Sequence, residues 1–100
     1  MAFNIIAETN KKLPFDLIYD EIYSDDKLIE FIPMPGLGIN DGDALGICVP
    51  SKNINERTWT QLKPVLKTLR AKFKCAVYDL YGGQKLNSFN INTFKKNLFL

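Results

Sequence analysis

A single α+β domain with a mainly antiparallel sheet is the fold class this chain predicts, on three observations. Short apolar runs of strand length alternate with two amphipathic stretches of helical period. The 100 residues carry 46% hydrophobic and 24% charged side chains, ordinary values for one globular core. The order of strand, helix, strand, strand, helix, strand and a further strand matches the split βαβ arrangement, whose sheet is mainly antiparallel.

The elements follow in chain order. "FNIIAE" (3 to 8) reads as a strand ended by the polar "TNKK". Pro14 suits the first turn of a helix over 14–23, in which Phe15, Ile18, Tyr19 and Ile22 recur on one side, although Phe15, Leu17 and Tyr19 also alternate as a strand does. "KLIEFIP" (27 to 33) and "ALGICV" (44 to 49) read as antiparallel neighbours joined by "PGLGINDGDALG" (35 to 46). The clearest helix spans 55–73, with Asn55 as N-cap and an apolar stripe of Trp59, Leu62, Val65, Leu66, Leu69 and Phe73. Pro64 removes one backbone bond, yet the stripe keeps its phase across it, so a kinked single helix or a turn feeding a helix is expected. "CAVYDLY" and "KLNSFN" flank Gly82-Gly83, the signature of a two-residue hairpin, and "NTFKKNLFL" closes the chain as a short helix or a tail. Strand, helix, strand, strand, helix, strand and a further strand is the split βαβ, ferredoxin-like order, with four to five strands and two helices on one face.

Composition excludes some chemistry. The chain has no histidine, which removes Ser-His and Cys-His nucleophilic sites and the usual imidazole base, so no catalytic residue is assigned. Cys48 and Cys75 stand apart in apolar runs without CxxC spacing, the pattern of small buried thiols. No run approaches the ~20 apolar residues that cross a bilayer. The first residues also lack the basic region and apolar length of a secretion signal, so a cytoplasmic protein is expected, with no cofactor and no metal.

The glycine loop invites a phosphate or a cation. A dinucleotide fingerprint needs G-x-G-x-x-G opening a helix, whereas Gly36, Gly38 and Gly42 precede a strand. A calcium loop needs a distant Glu that Asn40, Asp41 and Asp43 do not have behind them. A turn is the expectation: Asn40, Asp41, Gly42 and Asp43 tolerate left-handed backbone, Pro33 and Pro35 keep the preceding strand from extending, and Leu37 and Ile39 are apolar residues set among turn formers and available to a partner.

Charge is divided unequally. Residues 1–56 hold ten acids against four lysines, a balance of −6; residues 57–100 hold nine basic residues against Asp79 alone, a balance of +8. Cross-neutralisation within the domain is the plainest account. Asp16 and Asp20 are like charges one helical turn apart, however, and Asp25 and Asp26 fall at the helix C-terminal side, where the macrodipole disfavours anions. Acids placed at a local cost suggest a partner that uses them. The basic half raises a nucleic-acid alternative through the lysine-rich helix 56–74, with Lys63, Lys67, Arg70, Lys72 and Lys74, but "ALGICV" lacks the aromatics of an RNA-recognition strand.

From residue 44 to 86, the apolar strand, the helix with Trp59, Leu62, Pro64, Leu66, Leu69 and Phe73, and then "VYDLYGG" resemble the small immunity proteins that protect bacteria from polymorphic or contact-dependent toxins. That resemblance implies a non-enzymatic protein that binds a toxin domain and blocks its active site. Such toxins are often nucleases with cationic clefts, which an acidic face would meet. The partner-binding residues expected on this basis are Asp16, Asp20, Glu21, Asp25, Asp26, Leu37, Ile39, Asp41 and Asp43.

Overall fold

The computed structural model describes residues 2–22, 28–80, 83–87 and 89–98. Strands β1 (Ala2–Glu8), β2 (Glu30–Met34), β3 (Ala44–Pro50), β4 (Ala76–Asp79) and β5 (Gln84–Leu86) form one sheet in the order β2-β3-β1-β4-β5. Every neighbouring pair is antiparallel. The order 2-3-1-4 is the split βαβ arrangement, and β5 extends it by one hairpin strand.

Helices α1 (Phe15–Ile22) and α2 (Glu56–Ala71) are the two crossovers. In α1 the buried Ile18 and Ile22 and the half-buried Phe15 and Tyr19 face the sheet, so helical rather than alternating burial prevails. In α2 the side chains of Trp59, Leu62, Val65, Leu66 and Leu69 are buried in the phase their spacing dictates. Asn55 caps this helix, its Oδ1 accepting from the Thr58 N–H at 3.1 Å. Pro64 does not divide it. The backbone bond that proline cannot make would have ended on Thr60, and both residues lie on the exposed side.

A third helix, α3 (Ile91–Leu98), closes the chain as a helix rather than a tail. Asn87 Oδ1 accepts from the Phe89 and Asn90 N–H groups, and Asn90 Oδ1 accepts from the Asn87 N–H, a reciprocal cap that starts it. Ile91 and Phe94 then join the core, with the Phe94 ring 5.8 Å from that of Trp59.

The core lies between one sheet face and the helices. Ile5 and Ala7 of β1, Leu45, Ile47 and Val49 of β3, Val77 and Leu86 share one cluster with the helix residues. On the other face the register aligns Ile32, Gly46, Ile6, Tyr78 and Lys85 in one row across all five strands. Ile32 on that face is 54% exposed.

Two local expectations are corrected. The β4–β5 hairpin has no two-residue turn: the last paired residues are Asp79 and Gln84, which leaves four between them. The Gly83 N–H donates to the Asp79 carbonyl at 2.7 Å, and Gly83 supplies the positive φ, +69°, that closes this wider turn. Pro33 does not stop β2 either. It sits within the strand opposite Leu45, which an edge position allows because only one side of the strand is paired.

Candidate functional site

The glycine loop is a built turn rather than a slack connection. Asn40 (φ +49°) and Asp41 (φ +66°) occupy the left-handed region that Asn and Asp tolerate better than other side chains. Gly38 and Gly42 are required for a different reason, close packing. A Cβ on Gly38 would stand 2.2 Å from the Asp43 carbonyl oxygen, and one on Gly42 would stand 2.2 Å from that of Thr9. The loop is therefore wedged against the segment that follows β1. Backbone bonds from Ile39 N–H to Thr9, from Thr9 N–H to Asp43 and from Asp43 N–H to Lys11 bind the two segments together.

Asp43 completes the join. Its carboxylate accepts from the Leu13 N–H at 2.7 Å and from the Gly36 N–H at 2.9 Å, so one buried side chain links the loop to the entry of α1. These backbone donors hold its carboxyl below the usual range, with the nearby Lys12 charge as a smaller contribution in the same direction. Asp43 is 4% exposed and committed to its own chain, so it leaves the acidic surface to which its sequence position had assigned it.

The other eight expected residues divide by position. Leu37 is 63% exposed and Ile39 is 39% exposed, both on the wedged loop, with Asp41 exposed beside them. On α1, Asp16, Leu17, Asp20 and Glu21 form the outward side of the helix, opposite Ile18 and Ile22. Leu17 is itself 52% exposed, an apolar side chain flanked by carboxylates that sequence reasoning passed over. Glu21 is paired with Lys72 from the end of α2, a partial internal neutralisation of the acidic half by the basic half. Glu56 is likewise paired with Lys95 at 2.6 Å. Asp25 and Asp26 lie outside the described residues.

The basic half gathers elsewhere. Lys63, Lys67 and Arg70 stand on one side of α2, and with Pro64, Ala71, Ile91 and Asn92 they line a groove of about 710 Å³ toward α3. Among the described residues no group of three or more His, Cys, Asp or Glu side chains is placed to hold a metal ion. None of the described helices is long and apolar enough to cross a membrane. No family model matches the chain, and neither the curated proteins nor the solved structures compared with it include a match.

Proposed function

We propose that this protein acts by binding another protein and blocking it, without chemistry of its own, and that its partner is a cationic domain of a bacterial toxin, which makes the chain an immunity protein. The observation that carries the reading is the wedged loop. It leaves Leu37 and Ile39 in water on a backbone already fixed by Asp43, Gly38 and Gly42. Apolar area held out of the core keeps its transfer free energy, about 25 cal/mol per Å², for a later contact. A rigid loop also loses little conformational entropy when it docks. Asp16, Asp20 and Asp41 add negative charge that speeds encounter with a cationic surface.

The test is co-expression with the protein encoded immediately upstream, scored as rescue of growth and as a complex on size exclusion. Leu37→Asp combined with Ile39→Ser is expected to raise the dissociation rate. Reversal of Asp16 and Asp20 to Lys, with or without Asp25 and Asp26, is expected to slow association and to flatten its salt dependence. Wild-type rates in all these variants would remove both the loop and α1 from the interface.

The alternative, a nucleic-acid-associated protein, draws support from the clustering of Lys63, Lys67 and Arg70. Under it, affinity for an oligonucleotide falls steeply with salt, and the slope shrinks when Lys67 is neutralised.

A further inference from the structure

We propose that the groove between α2 and α3 is a binding site for a small phosphomonoester, with the phosphate held by Arg70, Lys67 and Lys63 and an apolar body resting on Pro64, Ala71 and Ile91. Four observations converge on it. The three cations are spaced at i, i+4 and i+7 on α2, so one side of the helix presents all of them to the same space. The groove is lined by both charged and apolar side chains, the combination that an organic anion requires. Its volume of about 710 Å³ lies within the range of small-ligand sites, roughly 300 to 1,000 Å³. Finally, Arg70 Nε is shielded from solvent and has no hydrogen-bond partner among the described residues. A donor left without an acceptor is costly, and a small shift of the half-buried Arg70 side chain toward the groove would bring it to a phosphate oxygen, the acceptor that a guanidinium fits best.

The same features favour a small ligand over a nucleic-acid tract. From Lys63 to Arg70 the helix rises roughly 10 Å, room for one or two phosphates and too few for a backbone-tracking site. Among the described residues, the groove lining includes no aromatic ring on which a base could stack. The residues of this groove are separate from those of the loop and α1, so the inference stands or falls independently of the protein-binding reading.

The experiment is an amide chemical-shift titration of the intact chain with phenyl phosphate, inorganic phosphate, phenol and a ten-nucleotide RNA carrying a 5′-hydroxyl. Saturable shifts at Lys63, Lys67, Arg70, Ile91 and Asn92 are expected with phenyl phosphate, weaker ones with inorganic phosphate, and none with phenol. Arg70→Gln is expected to weaken phenyl phosphate roughly tenfold, the loss of a charge-assisted contact. Should that variant not fold, Lys67→Gln, at an exposed position, is expected to weaken it severalfold. The proposal is overturned by the absence of saturable shifts up to about 10 mM, by equal affinity in both variants, or by RNA that binds where phenyl phosphate does not.

Discussion

The Leu13 backbone N–H donates to the Asp43 carboxylate at 2.7 Å, across 30 positions of sequence, and so fixes the start of α1 against the end of the glycine loop. With the Gly36 N–H on the other oxygen, the carboxylate has two buried or half-buried donors that water would otherwise serve. The rigidity on which the proposed interface depends originates here.

Acid should release this clamp. The folded-state pKa of Asp43 is depressed from 3.8, so the clamp contributes in full above that value and is lost as pH falls through the folded-state pKa below it. Melting temperature followed from pH 6 downward is expected to drop faster in the wild type than in Asp43→Asn, which lacks the titration and starts lower. Parallel curves would assign the acid sensitivity to other carboxylates.

Glycine replacement separates close packing from backbone conformation. Gly38→Ala and Gly42→Ala force a methyl into backbone atoms and are expected to cost up to about 3 kcal/mol in urea unfolding. Gly36→Ala meets open space and carries only the left-handed penalty of its φ, +75°, roughly 1 to 2 kcal/mol. A reversed ranking would show that the loop is not wedged against Thr9.

Thiol labelling reads the two cysteines as different environments. Burial pushes the Cys75 thiol up to about 11, and burial followed by the charge of Glu30 raises that of Cys48. At pH 8 the half-buried Cys48 is expected to react first with a disulfide reagent, while Cys75 reacts at a rate set by unfolding and accelerated by urea. Equal rates for both would contradict the packing around β4.

The docking of α3 can be followed from Trp59. Phe94→Ala is expected to cost about 3 kcal/mol and to shift Trp59 emission to the red, because the ring 5.8 Å away is what covers that side of the indole. An unchanged spectrum would mean that α3 is not needed for burial of Trp59.

The Glu21–Lys72 pair has one partner well exposed and is expected to contribute less than about 1 kcal/mol in a double-mutant cycle, declining with salt. If it instead proves strongly coupled, the acidic side of α1 is closed by the protein's own cations and Asp16 and Asp20 remain as its free charge.

The sequence by itself determined most of the elements and the faces they bury, while α1 stayed open to an alternating strand and the last segment to a helix or a tail. Period alone marked Ile18 and Ile22 in α1 and the stripe from Trp59 to Leu69 in α2, because helix and strand repeats are written within a window of a few residues. It also marked Asn55 as a cap and Asn40 and Asp41 as tolerant of left-handed backbone, both of which are properties of single side chains. Only the tertiary structure decided how chemically similar residues differ in role. Asp41 and Asp43 stand two positions apart, yet one is exposed and the other is buried under donors from residues 13 and 36. Glu21 and Asp20 are adjacent, and only Glu21 meets Lys72 from 51 positions away. The row of Ile32, Gly46, Ile6 and Tyr78 exists because three strand registers coincide. Such relationships depend on which distant segments the sheet brings side by side, and no local period or propensity carries that information.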